Sequence, residues 1–333
     1  MPHESFQRAA GNAAPPIFIM GCGASGTNLV SQILDSHPGI AVCRGAQYHL
    51  LFFAERRYYG DLRTGRNASR LVDDFVEAAR AHAIESPRKD DILRAVREPT
   101  FEGVLSAFLA LYARDHGKAR AGERSANSYH FLPQILEGFP ESPVVFTMRD
   151  PRDVALAHKK GFGFGVDAAS ATWNDAFRAY ERASRPVHLL RYENLVQRPE
   201  ETLRALCAFL GEPFEPEMLR FHERTPERYR ALKHHERLSR PLDTTTLGTF
   251  RELSAPEIEI VERRCAAGMR ALAYEPIGTG APAAEAAQPP QRSAFLRVGQ
   301  RLQYYGWNRQ RWRRGFLHWK IVLRARIRYF LSV

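Results

Sequence analysis

Cysteines are few in this sequence, and they lie far apart. Only four occur among 333 residues, at Cys22, Cys43, Cys207 and Cys265, and no two of them form a C-x-x-C pair. A zinc site or a disulfide framework needs paired or closely spaced cysteines. We therefore expect reduced thiols and no metal site.

Long apolar runs are also missing. No stretch approaches the roughly 18 uncharged apolar residues that a membrane-spanning helix requires. The first 16 residues contain no apolar core that could act as a secretory signal. These two absences predict a cytoplasmic protein.

Acidic residues are absent from the C-terminal segment 291–333. This segment holds ten arginines and Lys320, which together equal the net charge of +11 of the whole chain. The other 290 residues therefore balance at 37 basic and 37 acidic side chains. A chain that is neutral except for one basic segment is not typical of a nucleic-acid-binding protein. It suggests instead that the basic segment contacts a surface.

Strand-like and helix-like segments alternate along the rest of the chain. Short apolar runs predict buried strands at 17–20, 144–148 and 187–192. Helices are predicted at 27–37, 71–83, 101–116, from 153 onward, and at 200–210. This alternation predicts an α/β fold with a parallel sheet flanked by helices on both faces. In such sheets the ligand lies at the carboxyl ends of the strands.

The end of the chain has a different composition. Residues 277–292 are rich in Ala, Pro and Gly without periodicity, which predicts a linker between a domain at 16–276 and a basic helical tail at 293–333. One face of that amphipathic helix would carry Trp312, Phe316, Trp319, Leu323, Ile327 and Phe330. Two interpretations stay open: peripheral attachment to an anionic membrane at its inner face, or packing on the domain.

A glycine-rich turn follows the first predicted strand. Residues 21–27, GCGASGT, have the G-x4-G spacing of a phosphate-binding loop, but Thr27 stands where an NTPase has its lysine. Backbone amides and the helix dipole can still hold an anion there. The missing cation disfavours an ATPase or a kinase, and a plain strand-to-helix turn remains the alternative.

Three segments together resemble the PAPS-dependent sulfotransferase family of bacterial type, where PAPS is 3′-phosphoadenosine-5′-phosphosulfate. PIFIMGCGASGTNLVSQILDSHPGIAV resembles the 5′-phosphosulfate loop, and VVFTMRDPRDVALAH resembles the 3′-phosphate-binding strand and helix. LLRYENLVQRPEETLRALCAFLGEPF is similar to a third family segment. The resemblance implies a P-loop-like fold, PAPS as the donor without a metal, and a hydroxyl-bearing acceptor. Membrane attachment of the tail would favour a glycan or a lipid-linked glycan as that acceptor.

The resemblance also implies which residues bind the donor. Those that would hold the 5′-phosphosulfate are Gly23, Ala24, Ser25, Gly26, Thr27 and Asn28. Arg149 would bind the 3′-phosphate by a charge-assisted bidentate bond. A structural ion pair with Asp150 or Asp153 is its alternative. Tyr192 would approach the nucleotide or serve as a core tyrosine.

The sequence departs from the family pattern at three positions. Ala24 stands where the family has Arg or Lys, Gln47 where bacterial relatives often have glutamate, and Ala157, followed by His158, where serine is expected. A cation and a proton acceptor are therefore missing from the implied mechanism.

Three residues are candidate replacements. His49 is the first candidate base, since histidine titrates near neutrality; a packing role in its aromatic stretch is the alternative. Arg124 would supply the cation, and His130 is a second candidate base. If none of them acts, the chain is a PAPS- or PAP-binding relative without turnover, associated with a membrane.

Overall fold

The computed structural model describes residues 14–44, 52–81, 84–224, 237–277 and the single residue Leu323. These residues fall into two compact units. The first unit comprises residues 14–44, 112–224 and 237–277. The second comprises residues 52–81 and 84–111, with Leu323.

A five-stranded parallel sheet forms the centre of the first unit. Its strands are β1 (Ile17–Gly21), β2 (Ile40–Arg44), β3 (Arg120–Arg124), β4 (Val144–Met148) and β5 (His188–Arg191). Their spatial order is β2-β3-β1-β4-β5, and all neighbours run parallel. Between β3 and β4 the chain passes from one side of β1 to the other. Such a switch opens a crevice beyond the carboxyl end of β1, where ligands bind in sheets of this kind.

Helices connect the strands. The α-helices are α1 (Thr27–Asp35), α2 (Gly65–Ala81), α3 (Lys89–Ala95), α4 (Phe101–Asp115), α5 (Leu132–Gly138), α6 (Pro151–Phe162), α7 (Val166–Glu181), α8 (Tyr192–Gln197), α9 (Pro199–Leu210) and α10 (Ala255–Ala271). Short 3₁₀ helices lie at Phe53–Tyr59, Ala126–Phe131, Pro216–Arg224 and Thr249–Glu252. The five predicted helices are therefore present, and the one predicted at 71–83 begins earlier, at Gly65.

The sheet is covered on both faces. Successive side chains of a strand point to opposite faces. Val145 of β4 joins an apolar cluster with Ile33 of α1. The next residue, Phe146, lies 5.5 Å from the ring of Tyr180 in α7, centroid to centroid. Helices on both faces of a parallel sheet confirm the predicted P-loop-like α/β architecture.

The described part of the second unit is helical and has its own aromatic core. Phe75 of α2 lies at its centre, with ring centroids of Phe52, Phe101 and Phe108 at 5.0, 5.7 and 6.2 Å. Nearby, the Tyr59 hydroxyl donates to the Asp74 carboxylate at 2.8 Å. The α2 helix therefore holds the unit together through its buried face.

Some sequence predictions fall on residues that the structure does not describe. Gln47 and His49 lie outside the described ranges, as do the predicted linker apart from Ile277 and all of the tail except Leu323. Within the described ranges, no helix is long and apolar enough to cross a bilayer.

Candidate functional site

The turn between β1 and α1 requires glycine at both ends. A Cβ on Gly21 would lie 2.2 Å from the carbonyl oxygen of Thr147. Gly26 caps the N-terminus of α1 with a left-handed φ of +98°, and a Cβ there would lie 2.7 Å from the ring of Tyr192. Between them, Ala24 is also left-handed, with a φ of +64°. That conformation is uncommon for a residue with a side chain, so neighbouring contacts must hold it.

Residues 22–26 lead into the N-terminus of α1. They are here called the donor loop, because the sequence resemblance predicts that they hold the sulfuryl donor. Among the described residues, no side chain caps this helix end. The first amides of a helix have no intrahelical acceptor, and the helix dipole favours an anion near them. The Ser25 hydroxyl is fully buried and bonds to the Cys22 carbonyl at 2.5 Å and to Thr147 Oγ1 at 2.9 Å. Ser25 therefore supports the loop with its side chain. Thr27 is buried as well, and Asn28 is half-buried.

Arg149 directly follows β4, and its guanidinium lies beside the donor loop. Nη1 is 3.5 Å from the carbonyl oxygen of Ala24, and Nη2 donates to the carbonyl of Thr246 at 2.6 Å. Nη2 is also 3.5 Å from the Asp153 carboxylate, so this ion pair exists. Nε is buried and has no hydrogen-bond partner among the described residues. The group thus keeps a donor for a further acceptor, because a guanidinium offers five N–H bonds.

Tyr192, the first residue of α8, joins the donor loop to Arg149. Its ring lies against Gly26, and the Arg149 guanidinium stacks on it with Cζ 4.6 Å from the centroid. The Tyr192 hydroxyl bonds to Thr246 Oγ1 at 2.8 Å. Thr246 therefore contacts both side chains, although no motif in the sequence pointed to it.

Asp153 fixes the segment that carries Thr246. Its carboxylate accepts from the Gly248 amide at 3.1 Å, the Thr249 hydroxyl at 2.9 Å and the Phe250 amide at 2.8 Å. Asp153 is 2% exposed, so these bonds satisfy a carboxylate that water cannot reach.

The main chain at Arg149 is equally constrained. Its carbonyl accepts from Trp173 Nε1 at 2.8 Å. The next residue, Asp150, pairs with Arg152 at 2.7 Å, and Arg152 also pairs with Glu262 of α10 at 2.6 Å. The Arg149 carbonyl is therefore held by α7, while Asp150 pairs with Arg152, which Glu262 of α10 holds in turn.

A histidine of α6 contacts the other side of the donor loop. His158 Nε2 lies 3.1 Å from the carbonyl oxygen of Gly23, and burial lowers the pKa of this imidazole. Ala157, where the family pattern has serine, is half-buried. His158, the last residue of the VVFTMRDPRDVALAH segment, is therefore the side chain that reaches the loop, one residue after the position where the family has serine.

The structure gives the candidate catalytic residues different environments. Arg124 ends β3, pairs in register with Ile19 of β1 and is half-buried. His130 is exposed, with its ring centroid 4.3 Å from that of Tyr129. The donor loop, Arg149 and Tyr192 thus come together, with Arg124 at the end of the neighbouring strand. Within the described ranges, no three His, Cys, Asp or Glu side chains gather as a metal site requires.

Comparison with known proteins identifies the family. The model of the sulfotransferase family matches residues 15–216, from the start of β1 to beyond α9. The chain belongs to the sulfotransferase family. The matched region contains the donor loop, Arg149 and Tyr192.

The chain is only distantly similar to individual relatives. The protein-tyrosine sulfotransferase of Drosophila melanogaster is 24% identical over 225 residues, which are 63% of this chain and 40% of that protein. The chain thus spans less than half the length of this curated relative.

Two solved structures share the fold. The sulfotransferase domain of the Synechococcus PCC 7002 olefin synthase covers 80% of this chain and 97% of that chain, with 18% identity and a TM-score of 0.53. The sulfotransferase domain from the curacin biosynthetic pathway covers 79% and 98%, with 20% identity and a TM-score of 0.51. At these identities the likeness concerns the fold.

Proposed function

We propose that this chain transfers a sulfuryl group from PAPS to a hydroxyl group of an acceptor. Besides family membership, one observation carries the proposal. The Arg149 guanidinium, with Nη1 3.5 Å from the Ala24 carbonyl, lies side by side with a helix N-terminus that no described side chain caps. Two anion-binding features therefore adjoin at the carboxyl ends of β1 and β4.

PAPS offers an anion for each of these features. Its 5′-phosphosulfate suits the amides from Ala24 to Asn28 other than that of Ser25, which donates to the Cys22 carbonyl. The dipole contributes about 0.3–1 kcal/mol there. Its 3′-phosphate suits Arg149, whose buried Nε has no acceptor among the described residues. Such an unsatisfied donor costs about 1–3 kcal/mol, and a phosphate oxygen would remove that cost. Tyr192 would position the Arg149 guanidinium through the stacking contact.

Different residues of the site would stabilise charge and accept a proton in the proposed reaction. Transfer breaks the bond between sulfur and the bridging oxygen of the 5′-phosphate and forms a bond from the acceptor oxygen to the same sulfur. The amides at the α1 N-terminus would stabilise the negative charge left on the bridging oxygen. Because Ala24 supplies no cation, Arg124 is the proposed replacement. His49 and His130 are the proposed bases for the acceptor proton.

Two classes of hydroxyl are candidate acceptors. The basic aromatic tail favours a glycan or a lipid-linked glycan at a membrane surface, where arginines and aromatic rings attach a helix peripherally. The name of the Drosophila relative favours a tyrosine phenol of a protein. Liposome co-sedimentation of the full chain and of a chain lacking 292–333 tests the first class, and equal lipid binding by both would contradict it.

A protein that binds PAPS or PAP without turnover is the second candidate function. Ala24 and Gln47 favour it, because they replace the cation and the proton acceptor that the family pattern contains. Binding of the nucleotide would then be kept while the transfer step is lost. Transfer from radiolabelled PAPS to an acceptor pool, compared with a His49→Ala variant, separates the two functions.

The donor assignment has its own test. Binding of PAP, the bisphosphate product of PAPS, is measured by calorimetry for the wild type and for Arg149→Gln. Loss of a charge-assisted bond predicts about 10- to 100-fold weaker binding. Arg204→Gln, which removes an exposed arginine paired with Glu200, serves as the matched control and should bind like the wild type. A wild type that does not bind PAP would contradict the donor assignment.

A further inference from the structure

The carbonyl groups of the donor loop accept hydrogen bonds from the protein itself. The Cys22 carbonyl accepts from the Ser25 hydroxyl at 2.5 Å and from the Ser25 amide at 3.2 Å. The Gly23 carbonyl lies 3.1 Å from His158 Nε2. A loop can receive an anion on its amides only if its carbonyl oxygens point elsewhere, because they carry partial negative charge.

The bond at Gly23 fixes the direction of the next amide. In a planar trans peptide the C=O and the N–H point in opposite directions. With the Gly23 carbonyl directed at His158, the Ala24 N–H must point away from His158. Rotation of this peptide would exchange the two groups, and glycine opposes such a rotation less than any other residue.

His158 is well placed to prevent that rotation. It lies on α6, is 7% exposed, and its Nε2 would be only 3.1 Å from a Cβ on Gly23. Because a carbonyl only accepts hydrogen bonds, Nε2 must carry the proton. The α6 helix begins at Pro151, two residues after Arg149. The α6 helix therefore begins next to Arg149 and carries His158 to the donor loop.

We propose that His158 is a positioning residue for the donor, whose Nε2–H holds the Gly23 carbonyl out of the anion-binding loop so that the Ala24 amide faces the 5′-phosphosulfate. This rests on the proposed function. The orientation of the amides matters more here than in a loop that carries its own cation, because Ala24 adds no positive charge to the loop. His158 acts through Gly23 and makes no contact with the donor.

The test compares two nucleotides that differ only in the 5′-phosphate. Binding of PAP and of adenosine 3′-monophosphate is measured by calorimetry on the full chain, for the wild type, His158→Leu and His158→Gln. The leucine variant should bind PAP about tenfold more weakly, as expected for one lost hydrogen bond, and should bind the 3′-monophosphate as the wild type does. The glutamine variant, whose amide can donate in place of Nε2, should restore PAP affinity to within about threefold.

The outcomes distinguish this proposal from the function it rests on. If His158→Leu binds PAP as tightly as the wild type, or loses both nucleotides equally, the positioning role is wrong while PAP binding by the wild type still stands. If the wild type itself does not bind PAP, the donor assignment is wrong and the role of His158 falls with it. Should the leucine variant not fold, Gly23→Ala provides the same comparison. Its Cβ would lie 3.1 Å from His158 Nε2, so the imidazole must shift by a few tenths of an ångström, and PAP binding should weaken selectively.

Discussion

Glu123 should make the stability of this protein fall as the pH rises. It lies within β3, is 1% exposed, and its Oε1 has no hydrogen-bond partner among the described residues. Burial raises the pKa of this carboxyl from 4.5 to about 8, although neighbouring Arg124 lowers it in part. The folded state therefore keeps a proton that the unfolded state releases between these two pH values.

The magnitude follows from the linkage between proton binding and stability. Where only the folded state holds the proton, the free energy of unfolding falls by about 1.4 kcal/mol per pH unit. From pH 5.5 to pH 7.5 this amounts to about 3 kcal/mol. Glu123→Gln does not titrate, so it should gain about 3 kcal/mol relative to the wild type over the same window.

Equilibrium unfolding in urea at pH 5.5, 6.5 and 7.5 measures this difference directly. Taking wild type minus variant at each pH removes the contribution of other titrating groups, such as His158, whose pKa burial lowers. Glu201→Gln, at an exposed carboxylate that pairs with Arg198, is the matched control and should give a difference that does not change with pH. The same constant difference for Glu123→Gln would refute the reasoning.

Three further substitutions test how the first unit is held together. Gly26→Ala places a Cβ 2.7 Å from Tyr192 at a φ of +98°; it should cost about 1–3 kcal/mol in denaturant unfolding, with partial recovery when Tyr192→Leu is added. Arg152→Met leaves the carboxylate of Glu262 buried without its cation, and thermal unfolding should show a loss of about 3–5 kcal/mol. Ser254→Ala removes the capping box of α10 and should cost about 1 kcal/mol in urea unfolding. Unchanged midpoints would contradict each expectation.

The strands at the centre of the sheet illustrate what the sequence can predict. The runs at 17–20 and 144–148 are continuous and apolar, as expected for strands buried on both faces, and they form β1 and β4. β3 has the sequence RAGER, which no strand pattern would select. It forms because it pairs with β1 and β2 on its two sides. Tertiary contacts override local propensity there.

In the site, too, the features set by local sequence could be predicted, and the contacts between distant segments could not. The glycine spacing predicted the turn from the first strand into α1, and the RDPRD run pointed to Arg149, because local sequence determines both features. Thr246 escaped notice because it contacts Arg149 through a backbone carbonyl, which any residue could provide, across 97 positions. The link from His158 to Gly23 spans 135 positions. Contacts of this kind depend on how distant segments pack, which no local pattern encodes.

The most direct measurement asks whether one nucleotide is held at both of its ends, by the donor loop and by Arg149. Calorimetry with PAP, adenosine 5′-monophosphate and adenosine 3′-monophosphate should give the tightest binding for PAP. In Arg149→Gln the affinity for PAP should fall to about that for the 5′-monophosphate, because the 3′-phosphate then has no cation to bind. Equal affinity of the wild type for all three nucleotides, or PAP binding that Arg149→Gln leaves unchanged, would contradict a shared site.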